Sequence, residues 1–385
     1  MIAARGSAPG ATIGSVPEAP LGAPPGAPPQ VLSPGRLLAG LVAHGLVSGA
    51  DALGRGVILT DLSRSNPVTA VAVGGKARLV VKQRGLRVDE VDPMTAETAA
   101  YAWLSEVGLA LIAPALGAVG DGWLALEAVE PATSLHELVV RRAPASVSAF
   151  AALGDALGRL HAAPVPPVAQ PGSAAGLVPR RPWILDLEPR GLPSVVPAAE
   201  GVTAVRERLL ASRSVAALLG GLRASWSGRA IIHGDVKFDN VLVQSIDGLV
   251  GGDDGPAARV WLIDWELAGL GEPAWDLAGC VEGVVTAQFM TAGRVDVPSA
   301  APLALAALEA HARADGGLAS LTAPAVVLRW TAARLAQASL QLAAMAGEDA
   351  AAADRARDIA DLAISFAEEP RAWGSLVGIP VAATA

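Results

Sequence analysis

Between Val57 and Lys82, apolar and polar positions group into short β-type runs. "GVILTDL", "PVTAVAV" and "GGKARLVVKQ" are three such runs, and Gly74-Gly75 marks a hairpin before the third. Helical spacing follows from about Met94 to Val107. Two further strand-like pieces, "PALGAV" and "GWLALEAV", flank Gly120-Asp121-Gly122. The pattern predicts a small antiparallel sheet carrying one main helix over residues 36–130. After "EPATSL" the period changes: "VSAFAALGDALGRLHA" repeats apolar residues at three and four, and Pro273 to Glu369 reads as helix after helix. A larger, mostly helical lobe is therefore expected over 131–370, with a tail at 371–385. The fold class is α+β and bilobal. "AAPVPPVAQPGSAAGLVPRRPW" reads as a loop or insertion, and "QSIDGLVGGDDGPAAR" as a long hairpin connection. Residues 1–35, rich in Pro, Gly and Ala, read as a disordered leader. No repeat of 20 to 50 residues is visible.

Composition narrows the function classes. A chain of 385 residues can bury a large core and fits two lobes. With 29 Lys and Arg against 37 Asp and Glu, a net charge of −8 excludes the footprint expected for nucleic-acid binding. Cys280 is the lone cysteine, so no internal disulfide forms, which fits a reducing cytoplasm. Mean hydropathy is high, +0.43. The apolarity is nevertheless scattered, and no stretch free of Pro, Gly and charge approaches the ~20 residues that span a bilayer.

The candidate chemistry lies in "IIHGDVKFDN", Ile231 to Asn240, and in "VWLIDWE", which places Asp264 at the end of a strand after a hairpin beginning "NVLV". Asp235 and Asn240 are five apart. This resembles a kinase catalytic loop followed by a metal-binding Asp. The His-Gly-Asp form, with "LIDWE" and "GEPAWDLAG" in order, resembles the aminoglycoside phosphotransferase and choline kinase family, of protein-kinase-like fold, over about Leu59 to Trp330. The resemblance implies ATP, or GTP, with Mg²⁺ as cofactor, and an alcohol hydroxyl as phosphate acceptor. It makes Asp235 the base facing that hydroxyl, Asn240 and Asp264 the metal ligands, His233 a holder of the loop, and Lys237 a contact to the γ-phosphate. On the sheet it implies that Lys82 grips phosphates and pairs with Glu97. "SRSNP", with Ser63, Ser65 and Asn66, would cover the phosphates without the Gly-rich pattern, and "LEAVEP" would meet the adenine through the backbone of Glu127 and Val129.

Each feature also has a plainer reading. A Lys-Glu pair is commonly a solvated salt bridge, and an isolated His-Gly-Asp arises by chance. Asp264 alone would be a turn acid, and Trp265 and Trp275 read as core. Asp276 fits helix capping and loop anchoring equally. The ordered set favours a phosphotransferase. Its acceptor is open between Ser or Thr of a natural-product precursor peptide, with a biosynthetic partner protein, and a small molecule. An aminoglycoside-type kinase would need an acidic pocket, whereas the segment Ala163 to Glu200 balances Asp186, Glu188 and Glu200 against Arg180, Arg181 and Arg190. A non-catalytic scaffold is the third reading, opposed by the intact Asp235, Asn240 and Asp264. Neither nucleic acid nor membrane is expected as a partner.

Overall fold

A computed structural model describes residues 31–380 apart from 55, 64–65, 85–91, 144–145, 166–176, 189–190, 194–195, 198, 252–254, 316–321 and 348, and apart from the side chains of 245–251 and 255–257. The expected leader therefore falls largely outside the described residues. Two helices that periodicity did not predict come first, α1 (Pro34–Ala43) and α2 (Gly49–Leu53). Pro34 stands at the first helical position of α1, where its missing N–H has no intrahelical partner to lose.

The five strands β1 (Val57–Asp61), β2 (Val68–Val73), β3 (Lys76–Gln83), β4 (Leu116–Gly120) and β5 (Trp123–Glu127) form one antiparallel sheet in the order β1-β2-β3-β5-β4. Gly74 and Gly75 turn between β2 and β3 with φ of 60° and 79°, a conformation that glycine adopts freely. Side chains alternate across a strand, so the sheet has two distinct faces. Leu79, Val81, Trp123 and Ala125 pack with Leu37 and Leu41 of α1. On the other face, Leu124 and Leu126 join Tyr101 and Leu104 of α3 (Pro93–Glu106) in a core that continues through the helices. Lys82 lies opposite Leu124 in register and so belongs to this second face. The same stripe of α3 buries Glu97, Ala100, Tyr101 and Leu104, which brings Glu97 under the sheet.

Beyond the sheet follow β6 (Thr133–Ser134), α4 (Leu135–Val140), α5 (Ser146–Ala162), α6 (Glu200–Ala211), α7 (Arg213–Ser225), β7 (Ala230–Ile232), β8 (Val241–Gly251), β9 (Gly255–Leu262), β10 (Gly269–Gly271), α8 (Pro273–Ala292), α9 (Val297–Ala314), α10 (Pro324–Ala346) and α11 (Ala350–Glu368). Two small sheets, β10-β7 and β6-β8-β9, sit among the helices. Strand pairing between β8 and β9 reaches further than their connection suggested, with an irregularity between Ser245 and Val250. Among the described residues, no helix is long and apolar enough to cross a membrane.

Close packing of α5 against α9 depends on two glycines one turn apart. A Cβ on Gly154 would lie 2.0 Å from the carbonyl oxygen of Ala307, and one on Gly158 2.8 Å from that of His311. Both obstacles are backbone, which cannot swing aside. Gly154→Ala should therefore destabilise the protein by about 1–3 kcal/mol in urea unfolding. Gly220→Ala, in α7 with nothing within 4 Å of the new methyl, should instead stabilise by roughly 0.4–1 kcal/mol. Equal effects of the two substitutions would contradict this packing.

Candidate active site

The segment from His233 to Asn240 owes its shape to one glycine and one buried acid. Gly234 has φ of 83° and sits against the backbone of Leu267, where a Cβ would come within 2.4 Å of the carbonyl oxygen. No other residue fits there, which explains the middle letter of His-Gly-Asp. Asp276, fully buried in the first turn of α8, accepts hydrogen bonds from the backbone N–H of His233 at 2.7 Å and of Gly234 at 3.0 Å. Its carboxylate thus anchors the loop. Burial raises its pKa, but hydrogen bonding by His161 and the backbone outweighs that and holds it below the usual carboxylate value. Trp275 Nε1 donates to the Gly234 carbonyl at 2.9 Å, so this residue is more than core filling. Arg334 of α10 donates to the Val236 carbonyl at 2.8 Å, and its guanidinium lies over the Trp275 ring.

His233 is fully buried and kept neutral by burial. Its Nε2 donates to the Ile263 carbonyl at 3.0 Å and its Nδ1 accepts from the Asp235 N–H at 3.3 Å, so it ties the loop to the strand end before Asp264. Asp235 itself is held by two further side chains. Lys237 Nζ approaches its carboxylate at 2.9 Å, and Asn240 Nδ2 donates to its carbonyl at 3.0 Å and its carboxylate at 3.2 Å. Because the amide nitrogen makes both contacts, Asn240 Oδ1 is the atom that could serve as a hard ligand.

Asp264 adopts the left-handed conformation, φ 69° and ψ 59°, which Asp tolerates better than most residues. Its Oδ1 accepts from Lys82 Nζ at 2.6 Å, and the same ammonium reaches Glu97 Oε1 at 2.7 Å. Burial alone would lower the Lys82 pKa, but the two carboxylates more than offset it and raise it above the ordinary lysine value. Lys82 in turn outweighs burial at Asp264 and holds that acid below its usual range. Glu97, the deepest of the three, is pushed up by burial. Its Oε1 also accepts the Trp265 N–H at 3.3 Å.

The other expected positions lie around this centre. Ser63 Oγ accepts the Val68 N–H at 3.0 Å and closes the β1–β2 turn, while Asn66 Nδ2 reaches across to Glu266 Oε2 at 2.8 Å. Ser65 lies outside the described residues. Glu127 ends β5, where the N–H of Ala128 donates to the Arg78 carbonyl, and Val129 follows at the start of the crossing to the helices.

Sequence reasoning missed two features. Glu266 has its pKa raised to about 7, by burial first and then by the charge of Asp264, which places a second carboxyl beside the metal candidate. Behind Asp276 runs a buried chain: His161 Nε2 donates to Asp276 at 3.1 Å, and the His161 and His311 rings meet at 2.9 Å. One signal was available, since His161 occupies the same helical face as Gly154 and Gly158, a polar residue on a stripe of close packing.

Asp264 and Asn240 Oδ1 offer hard oxygens, and Mg²⁺ commonly takes one or two protein ligands, with water and substrate phosphates completing its shell. Among the described residues, no group of three or more His, Cys, Asp and Glu is arranged to hold a metal. The donor set therefore fits a cation that arrives with a nucleotide.

The sequence model of the phosphotransferase enzyme family (APH) matches residues 60–303. A choline/ethanolamine kinase family protein from Mesorhizobium loti shares 18% identity at a TM-score of 0.53, covering 89% of this chain and 97% of its own. Choline kinase from Cryptosporidium parvum shares 12% at 0.54, covering 89% and 98%. An amicoumacin kinase in complex with AMP-PNP and Ca²⁺ shares 14% at 0.53, covering 86% and 95%. At these identities the likeness is one of fold. No curated protein matches the chain in sequence.

Burial of the histidine chain makes stability pH-dependent. Burial, and then the neighbouring His161, lower the His311 pKa from 6.5 to about 3 against the opposing pull of Asp276, and Asp315 lies 3.8 Å from its other nitrogen. A depressed folded-state value means stability present above pH 6.5 and lost as pH falls from there toward 3. Between pH 6.5 and 5 the loss should reach up to about 2 kcal/mol. Urea unfolding across this range should show that slope in wild type and a flatter one in His311→Gln. Identical slopes would mean His311 does not stay neutral in the fold.

Proposed function

The chain belongs to the phosphotransferase enzyme family, and from this premise we propose that it transfers the γ-phosphate of ATP, with Mg²⁺, to an alcohol hydroxyl of a peptide or small molecule. The observation that carries this reading is the convergence of two bonded groups, Lys82 with Glu97 and Asp264, and Asp235 with Lys237 and Asn240, linked through His233 and Ile263.

Phosphoryl transfer asks a protein mainly to position groups and neutralise charge. Lys82 gives its ammonium to the α- and β-phosphates, and Glu97 keeps that side chain extended. Asn240 and Asp264 hold the divalent cation, which when bound neutralises charge on the phosphate oxygens. Asp235 accepts the hydroxyl proton of the acceptor at its carboxylate, while Lys237, bonded to that carboxylate, stands ready for the transferring group. Ser63 and Asn66 cover the phosphates from the β1–β2 turn, and the backbone of Glu127 and Val129 meets the base, adenine in ATP or guanine if GTP serves instead. Cytoplasmic ATP and Mg²⁺ suit this assignment.

The acceptor is the finer part of the proposal. A polycationic aminoglycoside would need uncommitted acids near Asp235. Asp186 is instead held by Arg181 at 2.9 Å, Asp349 caps α11, and Asp354 pairs with Arg357. With these three committed, and Glu188 and Glu200 the only exposed acids of the segment Ala163 to Glu200, the reading favours a hydroxyl on a less cationic acceptor, such as Ser or Thr of a precursor peptide handled with a biosynthetic partner protein.

Asp235→Asn keeps the shape of the loop but removes the proton acceptor. Phosphate transfer should fall roughly 10²- to 10⁴-fold, while ATP affinity measured by calorimetry changes little. Asp264→Ala should abolish the dependence of ATP binding on Mg²⁺. Wild-type transfer by Asp235→Asn would remove this base, and ATP binding by the wild type without transfer to any hydroxyl compound would leave a scaffold role.

A further inference from the structure

Three cavities share walls in sequence, and two of them are bordered by Lys237, whose ammonium lies 2.9 Å from the Asp235 carboxylate. The first, about 210 Å³, lies between Lys237 and α10. The second, about 330 Å³, lies between Lys237, α4 and α8. The third, about 470 Å³, is walled by the α4–α5 connection, the end of α8 and the start of α9. Neighbours share walls: Lys237 and Glu282 border the first two, and Val140, Ala287 and Thr291 border the last two. They are therefore segments of one trough. Its floor is one face of α8, with Glu282, Thr286 and Met290 spaced by four. From Glu282 to Ala292 a helix rises ~15 Å, the length of about four or five residues of extended chain at ~3.3 Å each.

The chemistry of the trough changes along its length. At the α10 end, Gln337 Oε1 is buried and meets no donor among the described residues, a state that buried acceptors rarely keep once a ligand can supply one. In the middle, Val140 and Met290 leave apolar surface open, 43% and 42% exposed. At the far end Arg142 and Arg294, both exposed, face a single wall carboxylate, Asp296, so the charge there is net positive.

We infer that the acceptor is an extended peptide lying along this trough. This rests on the phosphotransferase reading above and deepens it. The Ser or Thr hydroxyl sits at Asp235, a backbone N–H beside it donates to Gln337 Oε1, apolar side chains cover Val140 and Met290, and an Asp or Glu four or five residues away meets Arg142 and Arg294. An aminoglycoside would bring cations to the arginine end. A peptide supplies the donor, the apolar surface and the acid on one chain.

The test uses the full-length protein, radiolabelled ATP with Mg²⁺, and a positional library of peptides with a central Ser or Thr. The expected result is selection for Asp or Glu four or five positions to one side, with apolar residues between. Reversing both charges, Arg142→Glu with Arg294→Glu, should lower kcat/KM on the acidic peptide about ten-fold, the scale of two solvent-screened pairs. The loss should fall on KM, and the preference should move to Lys at the same positions. Gln337→Leu should raise KM several-fold for these peptides. Acid selection that survives the reversal overturns the assignment of the trough. Phosphorylation of small hydroxyl compounds but of no peptide overturns the peptide acceptor and leaves the phosphotransferase reading intact. Transfer to no acceptor of any kind, with ATP bound, overturns both.

Discussion

One ammonium shared by two carboxylates holds the candidate site together. Lys82 stands between Glu97 and Asp264 at 2.7 and 2.6 Å, and the three come from a strand, a helix and a loop end up to 182 residues apart. None of these charges could stay buried alone without a penalty of several kcal/mol, so each element is located by the other two. The arrangement also sets the chemistry. A carboxylate held below its usual pKa and an ammonium held above its own are both fully charged at neutral pH, the states that a metal ion and phosphate oxygens require.

The second constraint lies behind the loop rather than at the Lys82 ion pairs. Asp276 receives the N–H groups of His233 and Gly234, and His161 and His311 extend that contact into α5 and α9. The glycines that let α5 and α9 touch therefore also bring the histidines into range. Packing of the helical core and placement of Asp235 are one arrangement, because the same helix faces provide both.

What the sequence revealed was local. Lys82 and Glu97 could be placed because the resemblance asks for a Lys on a strand and a Glu on the next helix, and "LVVKQ" and "MTAETAAYAWL" offer them in that order. His-Gly-Asp spacing brought Asp235 and Asn240 together within a single turn. What stayed hidden depends on distant partners. Nothing near Asn66 announces Glu266, 200 residues on, and nothing near His161 announces His311, 150 residues on. Asp276 was open between capping a helix and anchoring the loop because both roles use the same residue at the same first-turn position. The helices α1 and α2 escaped periodicity because they are short, and α1 starts within a run of Pro and Gly that reads as unstructured. Gln337 carried no signal at all, since an amide on a helix face is ordinary until its surroundings are known.

The proposed phosphotransferase reading requires Asp264 to leave Lys82 for a metal ion when nucleotide binds, with Lys82 turning to phosphate and Glu97 remaining its brace. A crystal structure with AMP-PNP and Mn²⁺, read by the anomalous signal of manganese, tests this directly. The account predicts manganese coordinated by Asp264 and Asn240 Oδ1, Lys82 Nζ on the α- and β-phosphates and still on Glu97, and the Lys82–Asp264 contact lengthened. Manganese bound away from both side chains, or nucleotide bound with Lys82 still paired to Asp264, would contradict it.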